Sequence, residues 1–212
     1  MQDLLAQIDA QRERLGFMTV RELLDVHGSG NFIPDPFSVL VSHGVTIGSA
    51  NILYPNVILE TQHGGVISIG SENILYPGTL LLADQGVITI GDDNLLGDGG
   101  VRIKATLSTA AITIRSHGRY MNGANILGTC NLESGTQVLG PITVENCTLR
   151  AGGSFREPDP DLRGGVLKGS GVARALEVRQ GEVINGIGVF ETTKIERQTA
   201  YHAKPSSGSE VT

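Results

Sequence analysis

The chain has 212 residues, 29 of them glycine, with 4% aromatics and no tryptophan. It is long enough for one substantial domain but poor in the aromatic anchors that sandwiches and doubly wound sheets usually bury. A formal net charge of −6 without any run of Lys and Arg argues against a nucleic-acid partner. No apolar stretch approaches the ~20 residues of a membrane span. Met1-Gln2-Asp3 also lacks the basic-then-apolar layout of a secretory signal, so a cytoplasmic protein without a membrane partner is expected.

Residues 1–36 read as helices and a linker. Leu4, Leu5, Ile8 and Leu15 mark one face of a first helix, opposite the polar run from Gln11 to Arg14. Thr19 with Glu22 three residues later is a capping box for a second helix, which Gly28-Ser29-Gly30 ends. Pro34-Asp35-Pro36 then disfavours helix and leads into the next zone.

Residues 37–150 are repetitive. Ile47 to Pro55 and Ile69 to Pro77 agree at eight of nine positions at an offset of 22, and Ile90-Gly91-Asp92-Asp93-Asn94-Leu95-Leu96 continues the series. A shorter period runs inside: Ile47, Leu53 and Leu59 are six apart, as are Ile69, Leu75 and Leu81, and again Ile126, Leu132, Val138 and Val144. Helical amphipathicity gives steps of three and four, and a half-exposed strand a step of two. A step of six fits short strands separated by corners, each sending one aliphatic residue to the axis, with three strands closing a triangular coil of roughly eighteen residues. The few extra residues per coil, Gln62-His63-Gly64-Gly65 and Asp84-Gln85-Gly86, read as loops pushed out from one corner. Asp92, Asp93 and Asp98 fit corners, where Asp tolerates left-handed backbone, better than a metal site. Cys130 and Cys147 read as buried free thiols.

Residues 151–204 begin with a loop, Phe155 to Asp161, whose prolines interrupt any ladder. Val166 to Phe190 returns to short apolar runs broken by glycine and suits either further coils or a β-rich cap. Residues 205–212, Ser- and Gly-rich, read as a disordered tail.

The repeat resembles the hexapeptide-repeat acyltransferase superfamily over Val41 to Leu149. Asp35-Pro36, Gly44-Val45-Thr46-Ile47-Gly48 and Ile52 to Glu60 are similar to the opening coils of the acetyltransferase domain in the bifunctional N-acetylglucosamine-1-phosphate uridyltransferase family. The resemblance implies a mainly β fold, a left-handed parallel β-helix. It also implies a homotrimer with sites between adjacent subunits, acetyl-CoA or another acyl-CoA as co-substrate, a small-molecule acceptor and no metal. Val101-Arg102-Ile103-Lys104 followed by Ser116-His117-Gly118-Arg119-Tyr120 resembles that family's substrate lysine, catalytic histidine and nearby tyrosine. On that match Lys104 holds a sugar phosphate, His117 is the general base and Tyr120 orients the substrate. A base is needed because a protonated amine cannot attack a thioester, and histidine titrates in the useful range.

The sequence departs from the family in having no arginine one coil before Lys104, and in reading Asn131-Leu132-Glu133-Ser134 where an Asn-Tyr pair is expected. A non-catalytic β-helix scaffold is therefore the alternative to an acyltransferase. His63 is a second candidate histidine, His43 reads as structural, and His27 and His202 have no assigned role. A zinc hydratase like the γ-class carbonic anhydrases needs three clustered histidines, and His43, His63 and His117 form no close pair in sequence.

Overall fold

The computed structural model describes residues 2–205; residues 206–212, which hold most of the expected disordered tail, lie outside the described residues. Two helices open the chain, α1 (Gln2–Arg14) and α2 (Val20–Gly28). The expected capping box starts α2: Glu22 N donates to Thr19 Oγ1 at 3.1 Å and Thr19 N donates to Glu22 Oε2 at 2.7 Å. The first helix differs from expectation. Leu4 and Leu15 are exposed, whereas Arg12 is buried and donates to the carbonyls of Met18, Pro36, Phe37 and Val39. A buried guanidinium is tolerable when carbonyls receive its donors. Arg12 thereby fastens α1 to the segment that enters the first coil.

The chain then winds through coils of three short strands. The first coil is β1 (Leu40–Val41), β2 (Val45–Ile47) and β3 (Ile52–Leu53); the second is β4 (Ile58–Gln62), β5 (Val66–Ile69) and β6 (Ile74–Leu75). β7 (Thr79–Asp84), β8 (Val87–Ile90) and β9 (Leu95–Leu96) make the third, and β10 (Val101–Ala105), β11 (Ala111–Ile114) and β12 (Arg119–Met121) the fourth. β13 (Ala124–Leu127), β14 (Cys130–Leu132) and β15 (Gln137–Leu139) complete the fifth, before β16 (Ile142–Glu145) and β17 (Thr148–Leu149). Like strands of successive coils pair in parallel. Face 1 is β1-β4-β7-β10-β13-β16, face 2 is β2-β5-β8-β11-β14-β17 and face 3 is β3-β6-β9-β12-β15. The protein is a parallel β-solenoid of about five turns, mainly β, as the six-residue period predicts.

Buried, mostly aliphatic columns run along the inside of each face. On face 1 the register runs Val41, Leu59, Leu81, Ile103, Ile126, Val144. On face 3 it runs Leu53, Leu75, Leu96, Tyr120, Val138, Leu167. These residues are fully or almost fully buried, so the period of six is the period of the core. Cys130 and Cys147 are free and buried, as expected.

The corner between faces 1 and 2 departs from the expected expelled loops. Gly65 N donates to Gln62 O at 2.7 Å across His63 and Gly64, both at positive φ (44° and 88°), which is a tight two-residue turn. The extra residues instead lengthen β4 and β7, which pair through Gln62 and Asp84. Among the described residues only 106–110 bulge at this corner, carrying exposed Leu107.

Beyond β17 the solenoid continues, which decides between further coils and a separate cap. β18 (Val166–Arg174) begins on face 3 against β15 and ends on face 1 against β16. It turns that corner at Gly169 and Gly171, both at positive φ; a Cβ on Gly169 would sit 1.9 Å from Gly186 O. β19 (Glu177–Val178) and β20 (Glu182–Val189) stack next, and β21 (Glu196–Arg197) pairs antiparallel with the start of β20. Among the described residues no helix is long and apolar enough to cross a membrane.

Outward rows differ by face. Face 2 presents Thr46, Ser68, Thr89, Thr113, Asn131 and Thr148. Face 1 begins Leu40, Ile58, Leu80 and face 3 begins Ile52, Ile74, Leu95, all partly exposed. Tyr54 and Tyr76 stack at 5.5 Å beside the corner that joins these two apolar rows.

Candidate functional site

The corner between faces 2 and 3 is built from the Ile-Gly-x-x-Asn part of the repeat. Its fourth position holds left-handed backbone in each of the five coils: Ala50, Glu72, Asp93, His117 and Gly135, with φ of 57°, 62°, 50°, 64° and 76°. Inside the corner runs an asparagine ladder. Asn51 Nδ2 donates to Asn31 Oδ1, Asn73 Nδ2 to Asn51 Oδ1 and Asn94 Nδ2 to Asn73 Oδ1, each at 3.0 Å. Outside it, Ser71 N donates to Asp92 Oδ1 at 2.7 Å and Asp92 N to Ser116 Oγ at 3.0 Å. Asp92 therefore serves the corner, as expected.

The ladder ends at Gly118, whose N–H donates to Asn94 Oδ1 at 2.8 Å. A Cβ on Gly118 would lie 2.6 Å from the Tyr120 ring. Tyr120 has taken the space that an asparagine fills in earlier coils, and its hydroxyl lies 2.7 Å from Thr136 Oγ1. Tyr120 is 0% exposed, and burial drives its phenol pKa far up, with the Thr136 hydrogen bond opposing. Placed so, it is a core residue and presents nothing to a solute.

His117 stands outside this corner, exposed, with Nδ1 2.9 Å from Asp93 Oδ2. An ionised carboxylate only accepts, so Nδ1 carries the shared proton and Nε2 is left as the basic nitrogen. His63 makes a similar pair with Asp84 Oδ1 at 2.6 Å on the corner between faces 1 and 2. His43 bonds to Gly16 O and Glu22 Oε1 and ties the helices to the first coil, consistent with its structural reading. Among the described residues no group of three His, Cys, Asp or Glu side chains could hold a metal ion. Lys104 lies on β10 of face 1, across the solenoid from the corner that carries His117. The three expected site residues thus occupy three environments within one chain: an outer face, a corner and the core.

What distinguishes His117 from His63 is its neighbourhood. Asp93 Oδ2 is also ion-paired with Arg156 Nη1 at 3.6 Å. The Arg156 guanidinium lies over Phe155 at 4.6 Å, and Arg119 lies over the same ring at 4.1 Å. Arg119 opens onto a cleft of about 290 Å³ on the outside of face 3, roofed by the loop after β17 and by Gln198, Tyr201 and His202. Sequence reading missed this cleft because Arg119, Arg163 and Lys168 come from separated segments. The outward row of face 3, which runs Arg119, Gln137, Val166 and Val183, was the available signal. Two valines in a row meant for solvent imply a cover. The chain matches no protein-family model and no curated protein sequence.

Proposed function

We propose that the protein is an acyl-CoA-dependent acyltransferase in which His117 is the general base, oriented by Asp93. The observation that carries this reading is the His117–Asp93 pair, which leaves Nε2 as a base at an exposed corner where the Ile-Gly mark is replaced by Ile114-Arg115. In the reaction Nε2 takes the proton from an amine or hydroxyl acceptor as that group attacks the thioester. Asp93 fixes the ring and stabilises the imidazolium, and Nε2 then returns the proton to the departing thiolate. Acetyl is the acyl group proposed, and Lys104 of an adjacent copy is proposed to meet the acceptor.

A homotrimer in the cytoplasm belongs to the same proposal. Its support is the pair of apolar outward rows on faces 1 and 3 against the Ser/Thr row of face 2. Free buried thiols agree with a reducing compartment.

The experiment follows thiol release from acetyl-CoA over a panel of amino sugars and alcohols. His117→Ala is expected to lower turnover by about 100- to 10,000-fold, the range of general base catalysis, with unchanged sedimentation and circular dichroism. Retained turnover in His117→Ala sinks the assignment. The second reading, a non-catalytic scaffold, is favoured by the core position of Tyr120 and by the matching His63–Asp84 pair, which shows that such a pair also serves as a rung between coils. Absence of acetyl-CoA and CoA binding by the folded protein would decide for the scaffold.

A further inference from the structure

The cleft on face 3 is lined by cationic side chains, against the sign of the chain's net charge. In a protein of net charge −6, its lining holds Arg119, Arg163, Lys168 and His202 and no Asp or Glu. Arg119 is half-buried, donating through Nε and Nη2 to Gln137 Oε1 at 3.0 and 2.5 Å, and Arg163 Nε donates to Glu157 O at 2.7 Å. These neutral acceptors orient the forks without neutralising them. Among the described residues, Arg119, Arg163 and Lys168 make no ion pair, while nearby Asp159 and Asp161 are already engaged by Lys204 and Arg197. Burial, and then the like charges of Arg163 and Arg156, pull the Arg119 pKa down. Uncompensated cations held together in a concave site are relieved by an anion.

The remaining lining is apolar. Val166 and Val183 form a floor, Leu139 lies beside them, and Phe155 forms a wall whose ring contacts the guanidinium groups of both Arg119 and Arg156. This combination suits a ligand with an anionic head and a hydrophobic or planar body. A volume near the lower end of the usual ~300–1,000 Å³ for small-molecule sites limits that body to a single ring or a short chain. A guanidinium fork matches the paired oxygens of a carboxylate or a phosphate.

We propose that the cleft between face 3 and its roof is a binding site for a small organic anion, a carboxylate or phosphate ester with one ring or a short chain. Arg119, Arg163 and Lys168 hold the head, and Phe155, Val166 and Val183 hold the body. The site is independent of acyl transfer and does not require His117 to be a base.

The test is calorimetric titration of the full chain at fixed salt with benzoate, phenyl phosphate, inorganic phosphate and benzyl alcohol. At least one of the two organic anions is expected to bind with one-to-one stoichiometry, and whichever binds more tightly identifies the head. That anion should bind at least about tenfold more tightly than inorganic phosphate or benzyl alcohol. Arg119→Gln should weaken it by about tenfold or more, the scale of one charge-assisted contact. Lys168→Ala, on an exposed position that the fold does not need, should weaken it measurably, and His117→Ala should leave it unchanged. The proposal is overturned if neither organic anion binds the folded protein, if benzyl alcohol or inorganic phosphate binds as well, or if Lys168→Ala binds like the unaltered chain.

Discussion

If the Tyr120 ring replaces a ladder asparagine, the regular repeat should be restorable by exchanging both positions at once. Tyr120→Leu alone returns the inward residue to the type found at Leu75 and Leu96, but Gly118 then leaves the corner empty. Truncating a large buried side chain in a site that cannot collapse costs about 2–5 kcal/mol. Gly118→Asn alone drives its Cβ to within 2.6 Å of the ring, an overpacking worth about 1–3 kcal/mol. Together, the new asparagine occupies the vacated space with Asn94 Oδ1 as its acceptor, and the double variant should lie within about 1 kcal/mol of the parent. That is a strong favourable coupling between neighbours. Thermal unfolding followed by circular dichroism reads it directly. For a chain of this size each kcal/mol moves Tm by about 2–4 °C, so Tyr120→Leu should lower Tm by about 4–20 °C and the double variant should recover most of that loss. Additive losses in the double variant would falsify the equivalence of ring and asparagine.

The ladder itself supports a second expectation. Asn73→Ala removes the acceptor of both Asn94 N and Asn94 Nδ2, each at 3.0 Å. Two buried donors left unpaired at about 1–3 kcal/mol each give a loss near 4 kcal/mol, and Tm should drop by about 8–16 °C. Ser71→Ala, at the exposed outer rung, should cost far less, and equal losses at the two positions would count against the ladder. A third expectation concerns Cys130, whose thiol burial pushes up to about 11, with backbone hydrogen bonds at Cys147 and Asn146 opposing. Iodoacetamide should label the unfolded chain at pH 8 and leave the folded chain unmodified. Because the folded value lies above the ordinary thiol value of 9.0, the stability tied to this group is complete below that pH. It is lost as pH rises from there toward about 11. Rapid labelling of the folded protein at pH 8 would contradict the buried placement.

The core was legible in the sequence because its rule is simple. Every sixth position meets the axis, and a polar residue there costs more than an aliphatic one. Ile47, Leu53 and Leu59 fall on faces 2, 3 and 1 in turn. The same count reveals Tyr120, since Ile114, Tyr120 and Ile126 are also six apart. The likeness of Ser116-His117-Gly118-Arg119-Tyr120 to a catalytic segment led away from that count. The corner lengths were less legible, because extra residues can leave as a loop or extend two paired strands, and β4 and β7 took the second course. Arg12 was hidden for a similar reason. Its carbonyl partners lie up to 27 residues away, and no local pattern announces them.

Chemistry on this scaffold therefore has to be sought by register rather than by motif. An inward position is closed to solute, so any functional group must come from a corner or an outward row. A single outward row on a flat face offers no concavity and holds a ligand only where something covers it. On face 3 the row changes from Ile52, Ile74 and Leu95 to Arg119 and Gln137 in the coils that the chain's own later segments roof. The change of residue type and the roof coincide. The His117–Asp93 pair lies beside that boundary, joined to it through Arg156 and Phe155. A lone histidine at a repeating corner and one joined to a built cleft are different propositions. The two sets of variants separate them: substitution of His117 is expected to change turnover alone and substitution of Arg119 or Lys168 to change anion binding alone, and only a functional link between corner and cleft would make one set change the other's readout.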